Sequence, residues 1–242
     1  MPLHEVDTPA YLIGRTEVTY AQWMGFVDSL PPGERARRTP GVATKVGASG
    51  ALRVEPTTHG WHLTLQPVDR AYSAGWGDAI HYAGRRDHES QDWRQLPVTG
   101  ISAEDAEAYA EWLRATGRVP GARLCTELEW ERAARGADDR IYPEGGDIQP
   151  GDADFDQTYG RDLMGPDEVG SHPASRSPFG LDDMSGNAFE WTTSTVNLGN
   201  YVGRGGSYYH DRKTIQVVNR AVSSPAIRDA TLGVRMCAAI PQ

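Results

Sequence analysis

The chain has 242 residues, of which 38% are hydrophobic and 24% are charged, a composition typical of a globular protein. Its formal net charge is −9, and the basic run at 35–38, which we interpret as a solvated loop, is too small for a nucleic-acid interface. No apolar segment approaches the roughly 20 residues that a membrane-spanning helix needs, and the N-terminus lacks the pattern of a signal peptide. We therefore expect no nucleic-acid or membrane partner. We predict a single domain over residues 1–242, which could be excised from a longer multidomain protein.

Cysteine usage suggests a reducing environment. The chain contains two cysteines, Cys125 and Cys237, whereas a secreted domain rich in loops usually contains more disulfides. We therefore predict a cytoplasmic protein. Each cysteine is interpreted as a small buried side chain rather than a reactive thiol, because free cysteine is commonly buried.

The predicted elements, in chain order, mix helices with short strands. Three helices are indicated by capping boxes: Thr19 with Gln22, Ser102 with Asp105, and Thr126 with Glu129. Apolar spacing predicts that the second helix runs from Ala103 to about Ala115. Residues 11–13, 52–54 paired with 61–65, 215–218 and 232–239 have strand character. Residues 145–178 have almost no periodicity, and so long a loop suggests an organising element such as a metal ion.

Six segments stand in an order that identifies a family. They are GRTEVT (14–19), PVTGISAEDA (97–106), RLCTELEWE (123–131), FGLDDMSGNAFEWT (179–192), RGGSY (204–208) and LGVR (232–235). This series resembles the sulfatase-modifying-factor family, also called the formylglycine-generating-enzyme-like domain. The resemblance implies an α+β variant of the C-type lectin fold, with small antiparallel sheets, two to three helices and much irregular loop. The family includes formylglycine-forming oxidases, iron-dependent sulfoxide synthases, siderophore-maturation enzymes and non-catalytic binding modules.

The oxidase chemistry of the family needs two thiolates about five residues apart after the Gly-Gly-Ser-Tyr motif, because soft sulfur ligands select Cu(I). Here His210 and Ile215 stand at those positions. The resemblance therefore implies neither formylglycine formation nor copper. The former active-site groove would be lined by Ser207, Tyr209, His210, Asp211 and Arg212, as candidate binding residues rather than catalytic ones.

The seven histidines do not suggest an iron site. His59 and His62 are three residues apart but fall in a predicted β-turn, and no histidine and carboxylate stand at a spacing that defines a facial triad. The iron-dependent relatives take their histidine ligands from a separate helical domain. We therefore interpret the histidines as surface or hydrogen-bonded side chains.

Structural Ca²⁺ is a further implication of the resemblance, because calcium takes six to eight oxygen ligands from carboxylates and carbonyls. One predicted site uses Asp183, Gly186, Ala188 and Glu190. A second uses Asp154 and Phe155, with Asp162 and Met164 as less certain members. The alternatives are that Asn187 and Glu190 only brace the core and that the acidic loop is a solvated face.

We predict a non-catalytic ligand-binding or regulatory module, part of a bacterial signalling or effector protein such as a kinase fusion. The insertion at 41–66 and the loop at 72–93 would wall the groove and favour a protein or peptide ligand through their aromatic residues, Trp61, Tyr72, Trp76, Tyr82 and Trp93. Two alternatives stay open. One is a non-haem metal-dependent oxidase of the siderophore-maturation type that uses His210, and the other is a hypervariable binding protein.

Overall fold

A computed structural model describes residues 7–42, 50–197 and 199–240. Helices in these ranges are α1 Tyr20–Ser29, α2 Pro32–Arg38, α3 Ala103–Ala115 and α4 Glu127–Arg135. The strands are β1 Tyr11–Ile13, β2 Gly41–Val42, β3 Ala51–Thr57, β4 Gly60–Gln66, β5 Tyr72–Gly75, β6 Ala79–His81, β7 Ser90–Asp92, β8 Ala122–Leu124, β9 Phe189–Thr193, β10 Tyr201–Arg204, β11 Ala221–Ser223, β12 Leu232–Val234 and β13 Met236–Ala239.

The three predicted capping boxes all form, and they begin α1, α3 and α4. In α3 the Ser102 hydroxyl accepts a hydrogen bond from the Asp105 amide at 3.1 Å, and the Asp105 carboxylate accepts one from the Ser102 amide at 2.8 Å. Helix α4 stops at Gly136, whose φ of 73° suits glycine. None of the helices in the described ranges combines the length and apolar character needed to cross a membrane.

Helix α2 corrects the interpretation of the basic run as a loop. Pro32 stands in its first turn, where a missing amide proton costs nothing, and its arginines lie in the last turn, where the helix dipole favours positive charge. Arg38 is turned inward and pairs with Asp105 at 2.9 Å. The basic run therefore ties α2 to α3.

Within the described part of the chain, four small sheets carry the remaining regular structure. Strand β13 lies between β1 and β8, while β2–β3–β4–β5 forms an antiparallel meander that includes the predicted pairing of 52–54 with 61–65. The order β11–β10–β9–β12 builds the third sheet, in which β9 and β12 run parallel. The α+β prediction with small, mostly antiparallel sheets is confirmed.

Two strand predictions need correction. Residues 215–218 form turns rather than a strand, because Ile215 turns inward to pack against Phe155 and Ile148. The predicted strand at 232–239 is broken into β12 and β13 at Arg235, whose side chain is pulled into the interior. The loop at 145–178 contains only two short 3₁₀ turns and is otherwise irregular, as predicted.

The prediction of two unpaired cysteines is wrong. Cys125 directly follows β8 and Cys237 lies in β13, its antiparallel neighbour, so their Cα atoms come within 4.9 Å and the sulfurs form a disulfide. Sequence alone could not show this pairing, because the residues are 112 positions apart. The bond also removes the basis on which a reducing compartment was expected.

Candidate functional site

The loop after β10 is shaped by two glycines rather than by metal-binding thiols. Gly206 has a φ of 74°, and a Cβ there would lie 2.6 Å from the Cγ2 atom of Ile215. Ile215 is fully buried among apolar side chains. Ile215, which stands at the position of the second oxidase thiol, therefore packs in the interior.

His210 is the loop residue best placed to meet a ligand. Its Nδ1 atom lies 2.7 Å from the Ser207 hydroxyl, which leaves Nε2 as the ring nitrogen free to bind. The imidazole packs edge-on against Phe189, with ring centroids 4.9 Å apart. Burial lowers the pKa of His210, although the nearby charges of Asp229 and Asp211 oppose the effect. A neutral imidazole can either accept or donate a hydrogen bond.

The other predicted groove residues have more local roles. Asp211 is exposed and caps the following turn by accepting hydrogen bonds from the amide and hydroxyl of Thr214. Arg212 reaches Asp147 at 3.2 Å, and Tyr209 is partly exposed beside His210. Ser207 is fully buried and therefore positions His210 rather than meeting solvent.

A cavity of about 150 Å³ lies next to His210. Its remaining walls come from β9 to β12 and from the segment between β11 and β12: Phe189, Gly203, Ala221, Ser223, Ile227, Asp229, Thr231 and Leu232. Apolar surface covers most of the floor, and His210, Asp229 and Ser223 supply polar groups. These residues form a groove, and its cavity is large enough to hold one side chain.

The predicted aromatic walls are wrong. Trp61, Tyr72, Tyr82 and Trp93 are all buried in the main core, and only Trp76 of the set is substantially exposed, at 37%. Because these strands bury alternate side chains, the aromatic residues point inward and the polar ones outward. The groove is therefore built by other residues.

The first predicted calcium segment leads into a buried charged cluster. Glu190 accepts hydrogen bonds from Arg235, at 2.7 Å, and from the Trp130 indole, at 2.6 Å. Both of its oxygens are engaged. Glu17 is buried nearby, 3.9 Å from Arg235, and has no hydrogen-bond partner among the described residues. Burial and the neighbouring charge of Asp183 raise the pKa of Glu17 well above its usual range.

The two predicted calcium segments are in contact. The backbone N–H of Asn187 donates a hydrogen bond to the Asp154 carbonyl oxygen at 2.8 Å, and a Cβ on Gly186 would collide with that same oxygen. Within the described ranges, both carboxylate oxygens of Asp154 are buried without a hydrogen-bond partner. An orphaned buried carboxylate suits a cation ligand, because an unpaired buried charge is costly.

Charge balance in this interior also suits a cation. It holds five buried carboxylates and three buried groups that carry positive charge: Glu17, Asp154, Asp167, Asp183 and Glu190, with Arg85, His172 and Arg235. The residues therefore fit calcium in part. Asp154 and Asp183 present carboxylates, the Phe155 carbonyl already accepts from the Thr158 amide, and Glu190 would have to share its oxygens with Arg235. The calcium sites stay a prediction.

Sequence reasoning missed a second polar cluster in the same interior. His172 Nε2 lies 2.8 Å from Asp167 Oδ2, and Asp167 Oδ1 lies 2.7 Å from Arg85. Burial alone would lower the pKa of His172, but its hydrogen bond to Asp167 and the charge of Asp154 raise it to about 9. His88 approaches from a different loop. No spacing rule could find a cluster assembled from two irregular segments.

Glu144, outside both clusters, makes a testable contribution to stability. Burial raises its pKa to about 7, and neither carboxylate oxygen has a hydrogen-bond partner within the described ranges. A carboxyl whose pKa is raised on folding stabilises the protein below its unfolded pKa, and this contribution is lost as the pH rises through 7. We compare the change in the free energy of unfolding that Glu144→Gln causes at two pH values. This change should be more stabilising at pH 8 than at pH 4 by about 1 kcal/mol, after allowing for solvent screening.

Urea unfolding of both proteins at the two pH values measures this difference. The control is Glu111→Gln, whose carboxylate is largely exposed and pairs with Arg114. If Glu144→Gln changes the free energy of unfolding equally at pH 4 and at pH 8, the Glu144 carboxyl titrates as it does in the unfolded chain.

The fold and this site define a class of protein. Residues 1–240 match the family described as "Sulfatase-modifying factor enzyme 1-like domain", and the chain belongs to that family. The chain is 35% identical over 217 residues to a formylglycine-generating enzyme of Mycobacterium tuberculosis, covering 80% of this chain and 66% of that protein. It is 34% identical over 200 residues to a hercynine oxygenase of Mycolicibacterium thermoresistibile, covering 81% and 38%.

Other relatives are not named as oxidases. An inactive Cα-formylglycine-generating enzyme 2 of Mus musculus is 36% identical, with 58% of this chain and 42% of that protein covered. A serine/threonine-protein kinase pkn1 of Chlamydia pneumoniae is 38% identical over 96 residues, which cover 39% of this chain and 13% of the kinase. The chain spans less than two thirds of the length of these relatives. The relatives therefore include proteins that are named as enzymes and a protein that is named as inactive.

Solved structures agree on the fold. CarF superposes with a TM-score of 0.59 at 22% identity, covering 96% of this chain and 87% of that one. PvdO from Pseudomonas aeruginosa superposes with a TM-score of 0.62 at 18% identity, covering 95% and 80%. At these identities the likeness establishes architecture alone.

Proposed function

We propose that this chain is a non-catalytic member of the family, a binding domain whose groove takes one side chain of a peptide or protein ligand. The observation that carries the proposal is the chemistry of the loop from Ser207 to Ile215. The loop offers a hydroxyl, an imidazole and a packed aliphatic side chain, none of which is a soft Cu(I) ligand of the thiolate type. The only two cysteines of the chain are bonded to each other between β8 and β13.

The groove supports a ligand of mixed character. Its volume of about 150 Å³ is below the roughly 300 Å³ at which pockets begin to hold drug-sized molecules, so one side chain is a better match. Phe189 and Leu232 offer apolar contact, while His210 Nε2 and the Asp229 carboxylate can pair with a hydroxyl, amide or amine. A peptide side chain with an apolar stem and a polar tip can contact both the apolar and the polar walls of the groove.

A matched pair of substitutions on β11 tests the groove. Ala221 lines it, whereas Val222, the next residue on the same strand, is 62% exposed and points to the opposite face. We expect Ala221→Trp to fill the groove and weaken binding by at least about tenfold, since a blocked anchor pocket removes the central contact. Val222→Trp should leave binding unchanged.

Heptapeptides that bind the wild-type domain are first selected from a displayed random library. Their dissociation constants are then measured by fluorescence anisotropy. Equal affinities in Ala221→Trp and wild type would place the binding surface elsewhere. Failure to select any peptide at millimolar affinity would count against a peptide-binding function altogether.

The metal-dependent oxidase remains the alternative function. The relatives named hercynine oxygenase support it, although this chain spans only 38% of the first of them. Bound redox-active iron together with oxygen uptake by the purified chain would favour it, and bound calcium alone would favour the binding domain. Fusion to a protein kinase and a hypervariable ligand surface are further proposals. The first draws support from the 96-residue likeness to the chlamydial kinase.

A further inference from the structure

Three side chains of types that can bind metal come from two separate loops and meet at the edge of the interior. His88 lies between β6 and β7, and Asp167 and His172 lie in the long loop between α4 and β9. One ligand atom from each side chain lies within 4.8 Å of the other two. Asp167 and His172 are buried, and His88 is partly exposed. None of the three belongs to the His210 groove.

His172 is held in the manner of a histidine metal ligand. Its Nδ1 atom lies 3.0 Å from the Gly151 carbonyl oxygen, which can only accept a hydrogen bond, so Nδ1 carries a proton. Nε2 faces Asp167 at 2.8 Å. Metal-binding histidines characteristically donate their second ring N–H to a carbonyl or carboxylate, which fixes the tautomer and the ring orientation.

Asp167 is clamped from one side. Its Oδ1 atom accepts hydrogen bonds from Arg85 at 2.7 Å and from Gln91 at 2.8 Å. Its Oδ2 atom faces His172 and the Tyr159 hydroxyl, which lies 2.5 Å away. Both oxygens therefore have hydrogen-bond partners, and Oδ2 is the one that faces the His172 ring and would serve as a monodentate ligand while Oδ1 stays paired with Arg85 and Gln91.

His88 closes the cluster from the solvent side. Its backbone has a φ of 53°, an uncommon conformation for a residue with a side chain, and its ring lies 5.4 Å from that of His172. Non-glycine residues are held in this region mainly where the surroundings or a function demand it. Because the side chain is partly exposed, an ion could enter past it.

Asp154 is an independent sign that this interior accepts a cation. It is 1% exposed, and within the described part of the chain neither carboxylate oxygen has a hydrogen-bond partner. Burial and the carboxylates of Asp167 and Asp183 disfavour its negative charge, whereas Arg85 and His172 favour it. A carboxylate that is buried without hydrogen bonds is costly, and a cation bound nearby would reduce that cost.

We propose that His88, Asp167 and His172 form a binding site for a divalent transition metal of the zinc type. Two imidazoles and a carboxylate suit zinc or iron(II), whereas calcium prefers an all-oxygen shell. Ligand atoms around tetrahedral zinc lie roughly 3.3 Å apart, given bonds of about 2.0–2.1 Å. The partly exposed loop carrying His88 would therefore close by up to about 1.5 Å on the ion. Nε2 of His172 and Oδ2 of Asp167, now 2.8 Å apart, would separate by about 0.5 Å as the ion takes the place of the proton between them.

Zinc titration of the whole chain by isothermal calorimetry tests the proposal, after removal of any bound metal with a chelator. We expect one equivalent of Zn²⁺ to bind, and His88→Ala to weaken that binding by at least about tenfold, because it removes a direct ligand. His88→Ala is preferred to changes at the buried residues, which risk unfolding. His59→Ala is the matched control, since His59 is an exposed histidine in the turn between β3 and β4.

Cobalt(II) supplies a second readout, because a protein site with nitrogen and oxygen ligands gives it a visible absorption band that shifts when a ligand is lost. The wild type and His59→Ala should give the same spectrum, and His88→Ala a different one. Equal zinc affinity in His88→Ala and His59→Ala, or no stoichiometric binding by the wild type, would overturn the proposal. Peptide binding in the groove is unaffected by either result, so the two proposals fail separately.

Discussion

Reduction of the Cys125–Cys237 disulfide is expected to lower the free energy of unfolding by about 4–5 kcal/mol. The bond closes a loop of 112 residues, and in the chain-entropy description a cross-link of that length removes about this much conformational freedom from the unfolded chain. Such a loss is a large part of the roughly 5–15 kcal/mol by which domains are stable. The reduced protein should therefore unfold at much lower urea concentration.

Urea unfolding with and without reductant measures the effect, and the double variant Cys125→Ala with Cys237→Ala provides the control. Both cysteines are buried, at 0% and 1% exposure, so the double variant retains the apolar packing apart from two sulfur atoms. Its unfolding should not respond to reductant. A wild-type midpoint that is also unaffected by reductant would show that the two thiols are not bonded in the protein.

The second large effect is expected for Arg235→Met, which should cost about 3–5 kcal/mol. Arg235 is buried and supplies the positive charge between β12 and β13 that offsets Glu190, at 2.7 Å, and Glu17, at 3.9 Å. Removing one partner of a buried ion pair leaves the other charge uncompensated in the interior. Methionine preserves most of the volume, so the loss reports the charge together with the hydrogen bonds that Arg235 donates to the Gly14 and Asp182 carbonyl oxygens.

Two further variants make this prediction specific. Arg53→Met removes an arginine whose side chain is 71% exposed and should cost less than about 1 kcal/mol. Adding Glu190→Gln to Arg235→Met should restore part of the lost stability, because it removes the stranded charge. If the double variant is less stable than the wild type by the full sum of the two single effects, the two side chains do not act as a pair.

Local signals in the sequence predicted the helices well. A capping box involves residues three positions apart, so Thr19, Ser102 and Thr126 could each be identified without knowledge of the rest of the fold. Helix α2 was missed although Pro32 and its arginines are local signals, and the other failures are features that depend on distant contacts. The turn at 215–218 follows from the packing of Ile215, and the disulfide follows from the pairing of β8 with β13.

The candidate site was predictable only where it is contiguous in sequence. The 207–212 loop could be found from the Gly-Gly-Ser-Tyr motif, and His210 does line the groove. The remaining walls come from strands up to 21 residues before it and 22 residues after it, Phe189 and Leu232 among them. The aromatic residues expected there are buried instead, since large aromatic side chains gain more from the core than from a rim.

The most direct test of a non-catalytic domain is an aldehyde assay on a cysteine-bearing sulfatase peptide, with the purified chain supplied with Cu(I) and oxygen. The mycobacterial formylglycine-generating enzyme, 35% identical to this chain, is the positive control. We predict no aldehyde with this chain under conditions in which the control converts the peptide completely, because no pair of thiolates stands beside Ser207. Conversion of the peptide by the copper-loaded chain would contradict the proposal.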